Sequence, residues 1–96
     1  MKVRYTIDAI LHIAAIHSYI QERNPMAATR VADRIRSAAM RLGETPHIGH
    51  AGAAAGTREW VVVGLPYIIV HQLDEPTDEL IVLGVYHGAQ HRPGQD

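Results

Sequence analysis

Ninety-six residues with a formal net charge of −1 are the length of one small domain, able to fold alone with little stability in reserve. Hydrophobic residues make up 47%, yet Phe and Cys are absent and there is one Trp. The core must therefore come from Ile, Val, Leu and Ala, and neither a disulfide nor a Cys-ligated zinc site is possible. Nine Lys and Arg stand against ten Asp and Glu, with Lys2 the only lysine, which excludes a broad basic surface for sequence-independent phosphate binding.

No apolar run approaches the roughly 20 residues that span a bilayer. The start, Met1-Lys2-Val3-Arg4-Tyr5, lacks the apolar core of a signal peptide. With no cysteine, a reducing cytoplasm is the expected location and no membrane partner is expected.

Residues 2–6 read as a short strand, with Val3 and Tyr5 on one face and Arg4 on the other. Thr6 then caps a helix to about residue 23. At about 100° per residue, Ala9, Ile13, Ile16 and Ile20 lie in a band about 60° wide. Ile10 and Ala14 widen that band and Leu11 falls outside it. A helix apolar over more than one face suits packing on both a helix and a sheet, or a partner surface that is bare in the isolated chain.

Asn24-Pro25 restarts the helix, because Asn is a good N-cap and proline's missing N–H costs nothing at the first helical position. The second helix is expected to reach Leu42 and stop at Gly43. Ala28, Val31, Ile35, Ala38 and Leu42 give it a narrow apolar stripe. Residues 43–56, rich in Gly, Pro and Ala, read as a long irregular loop. Strands follow at residues 58–63, 67–73 and 79–87, separated by Gly64-Leu65-Pro66 and a polar turn at 74–78. Residues 89–96 are expected to form a flexible tail. The expected architecture is a single α+β domain over residues 1–96: an N-terminal strand, a helical hairpin and a three-stranded antiparallel meander, β-α-α-β-β-β. The first strand joins an edge that the pattern leaves open.

Among the seven histidines, His47-x-x-His50 and His87-x3-His91 have metal-like spacings. The first pair lies in a Gly/Pro loop and the second straddles a strand end, with no carboxylate to complete a zinc set. No metal or cofactor is expected. His12 and His17 read as surface or half-buried positions on the first helix. Arg30, Arg34 and Arg41 fall within roughly 40° on the second helix, either a solvated basic edge or a docking face for an acidic partner or a phosphate backbone. Arg58 opens a strand after a glycine-containing loop, a place from which a rigid element presents a side chain to a ligand. If His87 sat beside it, extended by Arg92, an arginine to hold phosphate and a histidine to move a proton would form a minimal kit for RNA cleavage. The bland alternatives are an Arg58–Glu59 ion pair and a capping role for His87. Ser18 and Ser37 are mid-helix, so Ser/His/Asp catalysis has little support.

The order of parts adds a resemblance over nearly the whole chain. It is carried by Arg4-Tyr5-Thr6, Tyr19-Ile20, Asn24-Pro25-x-Ala27-Ala28 and Ile35-Arg36-x-Ala38. It continues through Gly56-Thr57-Arg58-Glu59, Pro66-Tyr67-Ile68-Ile69-Val70 and Val85-Tyr86-His87-Gly88. In this order they resemble the RelE/ParE superfamily of bacterial toxins, and the ParE branch in particular. The resemblance implies the superfamily's fold and an antitoxin encoded beside the toxin. RelE-like members cut messenger RNA, whereas ParE-like members are associated with poisoning of DNA gyrase. Two departures weigh against a nuclease. The lysine-rich surface of RelE-like nucleases is missing. Residues 65–71, where related RNA cutters place a catalytic arginine, contain none, and Gly88 follows His87 where another polar or aromatic side chain would be wanted.

The resemblance thus implies the toxin of a type II toxin–antitoxin system, ParE-like, inhibiting DNA gyrase by binding and neutralised by a ParD-like antitoxin. Arg58, His87, His91 and Arg92 are the expected target-facing group. Leu11, Arg30, Arg34 and Arg41 are the expected antitoxin-docking residues. The alternatives are a ribosome-dependent mRNA interferase using Arg58 and His87, the one case requiring direct nucleic-acid contact, and an inactive homologue that only binds its antitoxin.

Overall fold

Thr6 ends the first strand and begins the first helix with one side chain. The computed structural model describes residues 1–95, and in it β1 (Lys2–Tyr5) passes through Thr6 into α1 (Ile7–Gln21). The Thr6 hydroxyl accepts from the Ala9 N–H at 3.1 Å and lies within donating distance of the Val82 and Leu83 carbonyls. One residue thereby satisfies an orphan helix N–H and pins the helix to the last strand. Asn24 repeats the device, its Oδ1 accepting from Ala27 N–H, with Pro25 opening α2 (Pro25–Glu44).

The α2 helix does not stop at Gly43. It runs to Glu44, and Gly43 lies inside it against β1: a Cβ there would stand 2.7 Å from the Met1 carbonyl oxygen and 2.8 Å from Val3 Cγ2. The Met1 amino group donates to the Gly43 carbonyl at 2.7 Å. Glycine serves here for close approach of two backbones rather than as a C-cap.

Four further strands follow: β2 (His50–Ala51), β3 (Arg58–Val61), β4 (Tyr67–Asp74) and β5 (Glu79–His87). The loop expected over residues 43–56 thus contains a two-residue strand. The sheet order is β1-β5-β4-β3-β2. Strands β3, β4 and β5 form the antiparallel meander, while β1 joins the outer side of β5 in parallel, so the sheet is mixed. A register shift at Val70/His71 marks a bulge, and past β1 the Val85 N–H on β5 is met by His12 Nδ1 at 3.1 Å. A helix side chain thereby caps a free sheet-edge donor.

The helical hairpin covers one sheet face. Ile35, Ala39 and Leu42 of α2, with Ala9 and Ile13 of α1, pack on Ile69, Leu80, Val82 and Val85. The α1 helix is apolar on both sides, because Ile7, Ile10 and Leu11 point outward and are more than half exposed. The opposite sheet face is also sheltered, with Ile68, Val70 and Ile81 buried. Residues 89–95 of the expected 89–96 tail turn back toward the loop before β3, and Asp96 lies outside the described residues. A Cβ on Gly94 would collide with the backbone of Ala53 and Ala54.

Candidate functional site

The residues singled out on charge and position separate into three places. At the β2–β3 end, Arg58 is cross-strand from His71. Its guanidinium donates to the carbonyls of His47, at 3.1 Å, and Gly49. The head group is thus engaged in holding the loop that leads into β2. His71 is fully buried beneath it, with Nδ1 facing the Ile69 carbonyl at 3.4 Å and Nε2 without a partner among the described residues. Burial pushes the His71 pKa down from the ordinary histidine value. The Arg58 charge adds to that, against the Ile69 carbonyl and Glu59, which pull it up. A Cβ on Gly49 would come within 3.2 Å of the His71 ring, so the loop seals the imidazole at close contact.

Glu59 does not pair with Arg58. Adjacent strand residues point to opposite faces, and Glu59 is buried on the other side, where its carboxylate accepts from Arg92 Nε at 3.1 Å and from Ala53 N–H at 3.2 Å. The Arg92 and Glu59 side chains keep only 13% and 10% of their surface in water. This pair ties the segment after β5 to β3 and to the Ala53 turn.

His87 is elsewhere. It pairs with Tyr67, four residues along β4 from His71, which puts it about 13 Å along the strands and two strand spacings, about 10 Å, across from Arg58. Its Nδ1 accepts from Ala89 N–H at 3.1 Å, and its ring stands edge-on to Tyr67 at 5.8 Å. His87 and His91 are exposed, whereas Arg58 and Arg92 are partly shielded and bonded within the fold. The phosphate-holding arginine and proton-moving histidine of an RNA-cleaving kit are therefore not brought together.

The third place is the basic edge of α2. Arg30, Arg34 and Arg41 are exposed, and among the described residues no carboxylate lies within 4.0 Å of their guanidinium groups. Arg34 donates to the Val63 carbonyl beyond β3. Between α2 and β3 lies a groove of about 460 Å³ lined by Arg34, Ser37, Ala38, Arg41, Trp60, Val62 and Val63. Leu11, on the other helix, does not line it. Sequence reasoning missed Trp60 and Glu59. The alternation of residues 58–61 was the signal available, because it puts Arg58 and Trp60 on one face and Glu59 and Val61 on the other.

Comparison with known proteins joins this architecture to a family. The family model for the ParE toxin of the parDE type II toxin–antitoxin system matches residues 3–92. A proposed toxin, Y4kP, of Sinorhizobium fredii is 35% identical over 92 residues, covering 96% of this chain and 93% of its own. Toxin RelE2 of Caulobacter vibrioides is 43% identical over 68 residues, 71% of this chain and 75% of that one. In fold, the chain is similar to the chromosomal ParDE toxin–antitoxin system of Pseudomonas aeruginosa, with a TM-score of 0.81 at 17% identity over 91% of this chain and 95% of that chain. It is also similar to the intact Escherichia coli RelBE toxin–antitoxin complex, with a TM-score of 0.68 at 13% identity over 95% and 98%. A model match across almost the full length and a relative above 30% identity leave one placement: the chain belongs to the ParE toxin family of type II toxin–antitoxin systems.

Proposed function

We propose that this chain arrests bacterial growth by binding a protein target, DNA gyrase by its ParE-type resemblance, and that it performs no covalent chemistry of its own. The observation that carries this reading is the dispersal of the nuclease kit. Arg58 is engaged with the His47 and Gly49 carbonyls, Arg92 with Glu59, and His87 stands at the far end of the sheet. General acid–base cleavage needs those groups within about 3 Å of one reacting centre. The target-facing surface is then the end of β5 and the segment after it, where His87 and His91 are exposed, and Arg58 and Arg92, bonded within the fold at the β2–β3 end, stand apart from it. A cognate antitoxin covers the chain on the outward apolar stripe of α1 at Leu11 and on the arginine edge of α2.

The test is induced expression of the chain alone in bacteria, scoring gyrase-linked DNA breaks and transcript cleavage side by side. Broken DNA with intact transcripts is expected. Cut transcripts with intact DNA would instead make the chain an mRNA interferase, and absence of growth arrest would make it a non-toxic family member. His87→Ala with His91→Ala is expected to weaken growth arrest while leaving the melting temperature unchanged, since neither side chain is buried. Undiminished arrest would sink the surface assignment.

A further inference from the structure

We propose that protonation of His71 opens the segment of residues 47–51 that covers it and releases the Arg58 guanidinium to solvent, while the rest of the fold holds. The geometry at this corner suits one protonation state. His71 Nδ1 faces the Ile69 carbonyl and carries the hydrogen of the neutral ring, which leaves Nε2 as a bare lone pair. Among the described residues that Nε2 has no partner, and neither does the buried Nε of Arg58, its cross-strand neighbour. A buried lone pair beside a guanidinium is tolerated. A second positive charge with an unpaired N–H at the same place is not.

The groups around the ring offer the proton no relief. Burial opposes it, and so does the Arg58 charge; Glu59, which favours it, faces the other side of the sheet and is committed to Arg92. Among the described residues no carboxylate lies within 4.0 Å of the Arg58 guanidinium. On β5 the cross-strand residue is Val82. The charged side chains of α2 are exposed, as are His47 and His50 of the covering segment. Water then reaches an imidazolium most readily by displacing its cover, and that cover is slight. Gly49 lies against the ring edge, where a Cβ would come within 3.2 Å of Cε1 and 3.4 Å of Nε2. The segment is held by the Arg58 bonds to the His47 and Gly49 carbonyls, by the two residues of β2 and by Ile48 packed on the core. So few contacts mark a segment that opens more easily than the whole chain unfolds. In the open state His71 titrates near the ordinary value of about 6.5, so one pH unit below it favours opening by up to about ten-fold. The same opening strips Arg58 of its carbonyl acceptors, and a structural arginine gains free donors.

The experiment is hydrogen exchange by NMR on the intact chain from pH 7.5 to pH 5.5, with each rate corrected for its intrinsic pH dependence. The reporters are the amides of residues 48–52, including Ile48 and Gly52, which donate to the Thr45 and Thr57 carbonyls, and the sheltered Arg58 Nε–H. Their protection is expected to lie below that of the buried β4 and β5 amides at every pH. It is also expected to fall by up to about ten-fold across the range. His71→Gln, which cannot take a charge, is expected to abolish that fall, and His47→Gln with His50→Gln to leave it intact. His71→Leu, which removes the orphaned ring nitrogen, carries the test if His71→Gln fails to fold. Protection of the segment that is independent of pH, or equal to that of the core strands, would overturn the proposal. So would a fall that survives the loss of the His71 imidazole, or one that disappears in the His47, His50 double variant.

Discussion

Two sets of arginines in this molecule have opposite fates. Arg58 and Arg92, at the β2–β3 end, are turned inward: one holds loop carbonyls and the other a buried carboxylate. Among the described residues Arg30, Arg34 and Arg41 on α2 have no carboxylate within 4.0 Å, although Asp33 and Glu44 lie near in sequence, and Arg34 donates to the Val63 carbonyl. The difference teaches that a charge next to a glycine loop in sequence is not yet a binding group. An arginine folded into such contacts is held away from a ligand even where a donor stays unpaired, as the buried Arg58 Nε does among the described residues, and moving it costs the structure it holds. The exposed set, which looks like ordinary solvated helix surface, retains its donors and its charge.

That contrast can be broken most sharply at Glu59. Glu59→Gln should destabilise the chain by about 2–3 kcal/mol, somewhat below the cost of splitting a fully buried pair because both partners keep a little contact with water. Urea unfolding measures it, and a loss under about 0.5 kcal/mol would mean that the Arg92 pair is incidental. Arg58→Met should cost less, about 1–2 kcal/mol for two charge-assisted bonds to a partly exposed loop. It should also raise amide exchange in residues 47–51; unchanged exchange there would free Arg58 for the target after all.

The acid response sharpens the same region. His71 has its pKa lowered in the fold. Once the pH drops through the unfolded value of about 6.5, the unfolded chain takes up a proton that the folded chain resists, and stability falls with pH. The melting temperature should therefore decline from about pH 7.5 toward about pH 5.5, with a shallower slope in His71→Gln; equal slopes would assign the decline to other groups. Smallest of all, Arg30→Ala and Arg41→Ala should leave stability within about 0.5 kcal/mol of the parent. A larger loss in either would put the α2 set on the same structural footing as Arg58.

Much of the fold is legible in the order and spacing of the residues. The Thr6 and Asn24-Pro25 helix starts, the α2 stripe and the three meander strands all depend on neighbours in sequence: capping chemistry, helical period and strand alternation. The end of α2 is not legible in this way. Gly43 has the residue type of a helix stop, but its reason for being glycine is Met1, forty-two residues away. The short β2 strand is equally hidden, because its two residues pair only through contact with β3. At the site, the basic face of α2 follows from helical arithmetic alone. The partners of Arg58, Arg92 and Glu59 do not.

What the amino-acid sequence determined by itself was therefore the element order, the apolar faces, the α+β class and the family resemblance. These are properties of residues a few positions apart, governed by backbone sterics and local hydrogen bonding. Tertiary structure alone decided that β1 lies parallel to β5, that Glu59 faces Arg92 rather than Arg58, that His87 is far from Arg58, and that β3 keeps an open edge beside unneutralised arginines. Each of these is a meeting of distant segments, set by which surfaces bury together, and no local spacing encodes it.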